Sequence, residues 1–199
     1  MSRKAAFVLG LFLITAGPEA FADGGNMVGV EIRPLQVFLG TISILSLSAG
    51  DVFPFTVAPW YGRNLTENLS VGTRLGYGLL KFGTWTMHSF SADVFARAGY
   101  GSIFLEGSLG HVNLLLRDFN GERNRESWTH NLRWEARLGQ RNRLGLDGRF
   151  FSELSLGLSA PFYLGRDTRL PDTGLIQELT EMFFFVGGIH FYYSLVYAF

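Results

Sequence analysis

From Leu69 to Lys81 the chain reads LSVGTRLGYGLLK, and its side chains alternate strictly between two chemistries. Leu69, Val71, Thr73, Leu75, Tyr77 and Leu79 fall on one face, and Ser70, Gly72, Arg74, Gly76 and Gly78 on the other. A period of two is the signature of a strand whose faces meet different surroundings, because successive side chains of a strand point to opposite sides. The pattern recurs in WTHNLRWEARLG. There Trp128, Leu132, Trp134, Ala136 and Leu138 oppose Thr129, Asn131, Arg133, Glu135 and Arg137. A chain written this way folds as sheet, and its polar face carries full charges that need partners.

Eight such segments are expected, over roughly 27–38, 52–62, 68–81, 89–100, 103–115, 127–139, 143–159 and 183–199. They are longer than the about 5–6 residues usual for soluble strands and exceed the ~9–11 that cross a bilayer when tilted. Their connections alternate in length. RNLTE (63–67), YGS (100–102) and QRN (140–142) are short, whereas 39–51, 82–88, 116–126 and 160–182 are longer. Short turns at one end and long loops at the other describe an eight-stranded antiparallel up-and-down transmembrane β-barrel. An even strand count puts both termini at the short-turn end.

A soluble eight-stranded barrel shares the period but inverts the faces, with an apolar interior and a charged exterior. The polar face discriminates. It mixes small Gly and Ser with Glu31, Arg33, Arg74, Asp93, Arg97, Glu106, Arg133, Glu135, Arg137, Asp147, Arg149 and Glu153. Six charges of each sign suit internal pairing in a narrow lumen. Folding about YGS sets Arg97 at or beside Glu106; folding about QRN sets Glu135 near Arg149 and Arg137 near Asp147. Beyond residue 22 only Lys81 represents lysine. Arginine is the better buried partner for carboxylates, whereas a solvated surface normally carries lysine freely.

The amino-terminal stretch supplies a compartment. Arg3 and Lys4 precede the apolar AAFVLGLFLITA, then Gly17-Pro18 and Ala20-Phe21-Ala22. That order is a secretory signal over 1–22, leaving 23–199 as the barrel domain. The chain has no cysteine, so neither a disulfide framework nor a thiolate metal site is available. Its formal net charge is zero, which gives a nucleic-acid partner no electrostatic support.

The last segment, FFFVGGIHFYYSLVYAF, ends in phenylalanine with apolar residues at alternate positions before it. With the eight-strand alternation and the Gly/Arg/Glu lumen, it resembles the small eight-stranded outer-membrane barrels of Gram-negative-type bacteria: the OmpA membrane domain, OmpX and OmpW. The resemblance implies a bacterial outer-membrane location, with termini in the periplasm and long loops outside. It implies contact with outer-membrane lipid, periplasmic chaperones and the barrel-assembly machinery. The machinery would read Phe191, Tyr193, Leu195, Tyr197 and Phe199. An OmpW-like passive conduit or minor porin for small hydrophobic solutes is the favoured role. It rests on apolar residues in 39–51 and on a short helix with an apolar stripe expected from PDTGLIQELTEMF. An OmpX-like barrel that binds host surface molecules is the alternative.

Some barrels of this class modify lipid A, which directs attention to MHSFSAD with His88, Ser89, Ser91 and Asp93. These read as rim polar residues, and no catalytic residue or cofactor is assigned. His111 and His130 are expected to face each other in the outward phase near the outer interface. They form a candidate metal or headgroup pair whose simpler reading is two interfacial side chains. His190 falls in the lumen phase.

Overall fold

A computed structural model describes residues 25–32, 52–82, 85–118, 125–145, 148–167 and 188–199. The first 24 residues, Arg33 and Asp147 lie outside the described residues, as do the apolar loop 39–51 and the expected helix near 172–182. Eight strands form a closed antiparallel barrel: β1 (Asn26–Ile32), β2 (Val52–Asn64), β3 (Leu69–Phe82), β4 (Trp85–Tyr100), β5 (Ile103–Asp118), β6 (Arg125–Leu144), β7 (Phe150–Asp167) and β8 (Gly188–Ala198). Each strand pairs with its neighbours in sequence, and β1 pairs with β8 to close the ring. At the seam the backbone of Asn26 exchanges two hydrogen bonds with Phe199, of 2.8 and 2.9 Å. No backbone edge is left open among these strands, as a spanning sheet requires.

The faces sort as the alternation predicts, and the result is inside-out relative to a soluble barrel. Arg74 is 1% exposed and the adjacent Leu75 is 64% exposed. Likewise Glu106 is buried between exposed Leu105 and outward Gly107, and Arg137 is buried beside exposed Leu138. The exterior is banded. At the short-turn end Tyr61, Tyr100, Phe150 and Phe199 are exposed, and Phe150, Tyr197 and Phe199 pack ring against ring. Toward the other end Tyr77, Phe90 and Trp128 form a second aromatic group, with centroids 5.4 and 6.3 Å apart. Leu, Val and Ile fill the band between them. An apolar band between aromatic girdles is the surface a bilayer demands.

The structure corrects several boundaries. QRN is not a turn: β6 runs through it to Leu144, and the chain reverses over 145–149. Gly145 and Gly148 take φ of 85° and 67°, left-handed values that glycine adopts freely and that Gln140 and Arg141 would adopt only with strain. β4 begins at Trp85 and pairs with Phe82, so the expected long loop 82–88 shrinks to residues 83–84. β7 extends to Asp167, well past the expected 159. Connections at the far end are therefore unequal, and one is as tight as any turn opposite.

Candidate functional site: a layered lumen

Five arginines and five carboxylates are buried inside the barrel: Arg74, Arg97, Arg133, Arg137 and Arg141 with Glu31, Asp93, Glu106, Glu135 and Glu153. Most join one chain of ion pairs that crosses the lumen. Glu135 receives Arg137 through Nε and Nη2 at 3.0 and 3.1 Å. Arg137 Nη1 reaches Glu31 at 2.5 Å, and Arg74 Nε lies 3.4 Å from the same carboxylate oxygen. Arg74 Nη2 donates to Glu106 at 2.7 Å; Arg97 donates to the other oxygen of Glu106 at 2.7 and 3.1 Å. Arg97 also reaches Glu153 at 2.8 Å, which Arg141 grips at 2.6 and 2.8 Å. Tyr192 donates its hydroxyl to Glu135 and lies under the Arg137 guanidinium, 3.6 Å from ring centroid to Cζ.

Every member is at most 6% exposed. Charges taken out of water are tolerable only when paired, and the planar guanidinium can serve two carboxylates at once. Strand register explains the network: Arg97 and Glu106 are direct cross-strand partners, as are Arg141 and Glu153. Asp93 and Arg133 form a separate pair farther from the short turns, with both carboxylate oxygens 2.8–2.9 Å from Nη2.

The Arg97–Glu106 expectation holds, whereas the Glu135–Arg149 pair expected around QRN does not form; the Arg137–Asp147 pair involves a residue outside the described ones. Glu135 sits opposite Ser159 and Arg137 opposite Gly157. Arg149 is exposed beside the turn rather than in the lumen. The shift follows from moving the reversal to 145–149. It also brings in Arg141, which the sequence reading left in a turn. Arg141 shares the phase of Arg133, Glu135 and Arg137, and that phase is the signal that identifies it.

Packed against these ion pairs, in the short-turn half, is an apolar cluster of Met27, Trp60, Phe95, Phe151, Val196 and Ala198. Glycines make the room. A Cβ on Gly29 would strike the Trp60 indole, one on Gly72 the Phe95 ring, and one on Gly139 the Phe104 ring. Arg97 joins the ion pairs to the rings, its guanidinium 4.1 Å from the Phe104 centroid and 5.3 Å from that of Trp60. Cation–π contacts of this kind gain strength when desolvated.

The other half of the lumen differs. Leu80, Met87, Val112, Leu114 and Leu116 face inward from β3, β4 and β5, with Leu80, Met87 and Leu116 in register across three strands. Beside them on β6 stand Ser127, Thr129 and Asn131. Deeper in, Ser159 Oγ and His190 Nε2 are 2.8 Å apart, both buried.

His88 lies within β4, facing outward, and its Nδ1 is 2.9 Å from the Tyr77 hydroxyl. Ser89 and Asp93 face inward, so the wall separates them from His88. His111 and His130 do come together on the exterior, but diagonally. Asn113 is the residue opposite His130, and Leu132 is opposite His111. In β8 the outward Ile189, Phe191, Tyr193, Leu195, Tyr197 and Phe199 alternate with inward His190, Tyr192 and Ser194, as expected.

Neither a protein-family model nor a curated protein matches the chain. Two solved structures are similar in outline. The N-terminal β-barrel domain of Pseudomonas aeruginosa OprF aligns at TM-score 0.48 and 12% identity, over 91% of this chain and 100% of that one. The translocator domain of the autotransporter NalP from Neisseria meningitidis aligns at TM-score 0.40 and 12% identity, over 98% and 96%.

Proposed function

We propose that this chain is an integral outer-membrane barrel with its short turns and both described strand termini on the periplasmic side. Two aromatic girdles around an apolar band support the membrane placement. Within that frame it is an OmpW-like passive receptor or conduit for small hydrophobic molecules, entered from the loop end.

The observation that carries this reading is the asymmetry of the lumen. Leu80, Met87, Val112, Leu114 and Leu116 give the loop half an apolar wall, and Ser127, Thr129 and Asn131 stand beside it as hydrogen-bonding groups. Such a lining suits a small molecule with an apolar body and one polar end. The ionic and aromatic layers below oppose onward passage of ions, so the role is not that of a general aqueous pore.

Two methionines serve as built-in probes: Met87 in the loop half and Met27 in the layer near the short turns. Methyl-labelled refolded barrel, titrated with naphthol in detergent and then in nanodiscs, should show a saturable shift of the Met87 methyl and none of Met27. An unmoved Met87 resonance would overturn the reading. It would favour a second role, a rigid scaffold displaying its loops to surface partners, which the extent of the buried ion-pair chain also supports.

A further inference from the structure

We infer that His111, Asn113 and His130 form a binding site for a borderline divalent metal ion, of the zinc, copper or nickel class, on the outer wall of the barrel. The three residues lie on adjacent strands in the outward phase. The imidazoles stack, with centroids 5.9 Å apart and planes 12° from parallel. Between them stands the Asn113 carboxamide: its Oδ1 is 2.5 Å from His130 Nδ1, and its Nδ2 is 3.3 Å from His111 Nδ1. Both imidazoles therefore turn the same ring nitrogen toward one amide group.

That convergence matters chemically. Two imidazole nitrogens and a carbonyl oxygen are a ligand set that zinc, copper and nickel accept, whereas calcium and magnesium prefer all-oxygen sites. Metal–nitrogen bonds of ~2.0–2.1 Å require the rings to close slightly on the amide, which surface side chains on a rigid sheet can do by rotation. In the metal-free geometry the amide N–H donates to His111, and His130 donates to the amide oxygen. A bound ion would take the place of the His130 proton, with the amide turned to offer its oxygen. Two or three further positions stay open to water or an outer ligand.

Location gives a second argument. The neighbours Ala92, Leu109, Leu132 and Trp134 are apolar, so three adjacent polar side chains break an otherwise lipid-compatible wall. About ten residues separate the turn at Gly101 from His111. At ~3.3 Å per residue and a tilt of ~40° this is about 25 Å along the barrel axis, the height of the apolar band. The cluster thus sits where hydrocarbon gives way to headgroups, in reach of aqueous metal. Among the described residues no group of three His, Cys, Asp or Glu is assembled as a metal cluster. The third ligand here is an amide, from Asn113.

The test uses the refolded, untagged full barrel in detergent, titrated with zinc by calorimetry and with copper by paramagnetic resonance. One equivalent should bind, and the copper spectrum should show coupling to two imidazole nitrogens. His111→Ala and His130→Ala should each weaken binding by more than the about 10–100-fold typical of losing an outer-shell partner. Asn113→Ala should weaken it less, and His88→Ala should leave it unchanged. All four variants should keep the heat-modifiable migration of a folded barrel, because these side chains face outward. Absence of binding to the folded barrel, or binding that survives the His111→Ala/His130→Ala double substitution, would overturn the assignment.

Discussion

The two halves of this lumen are built from the same strands in the same alternating phase, yet they do different physical work. In the short-turn half the inward positions are dominated by paired charges and by aromatic rings, three of which sit on glycines. Among the described residues of the loop half, Leu80, Met87, Val112, Leu114 and Leu116 face inward from β3 to β5, and Ser127, Thr129 and Asn131 face inward from β6. Period two decides which side chains enter the barrel. What they then do depends on whether their cross-strand neighbours satisfy them. The first half is tied together by shared ion pairs, and the second is lined by aliphatic and small polar side chains.

The sharpest way to break that contrast is to remove the hub of the sealed half. Glu106 accepts from both Arg74 and Arg97 and is itself fully buried. Glu106→Ala should cost about 3–5 kcal/mol, the usual penalty for leaving a buried charge without its partner. Urea unfolding of the barrel in vesicles measures it; a cost below 1 kcal/mol would mean that water already enters the network.

The outer wall gives the next largest effect. Leu138 is 57% exposed beside buried Arg137, so Leu138→Arg moves a charge across the sheet without changing the strand. A cost of about 2–4 kcal/mol is expected if Leu138 lies near the bilayer midplane. The same unfolding measurement in vesicles reads it, and a neutral result would place that residue outside the membrane.

The smallest effect sharpens the contrast between buried and exposed ion pairs. Arg117 and Glu126 are 2.8 Å apart, but both side chains are at least 40% exposed. Glu126→Ala should change stability by no more than about 1 kcal/mol, against several for Glu106→Ala, although the two pairs have nearly the same length.

Much of this architecture is legible in the chain. Strict alternation from Leu69 to Lys81 and from Trp128 to Leu138 assigns the faces, and the YGS turn brings Arg97 to Glu106. The reading falters at QRN because polar residues suggest a turn there, while the backbone reverses where Gly145 and Gly148 permit positive φ. Arg141 is lost with that misplaced turn, although it continues the phase of Arg133, Glu135 and Arg137. The aromatic floor is harder to foresee. Trp60, Phe95 and Phe104 are inward by phase, but their seats on Gly29, Gly72 and Gly139 come from other strands, which only the three-dimensional register supplies. Asn113 between the two histidines is hidden for the same reason: a two-residue difference in register separates opposite from diagonal.

The central claim is that the lumen is closed by its ionic and aromatic layers, and single-channel recording on the refolded barrel in a planar bilayer tests it most directly. Insertion should yield no discrete conductance steps in concentrated potassium chloride, while Trp60→Ala combined with Glu106→Ala should produce them. Steady, uniform steps from the unaltered barrel would contradict the account.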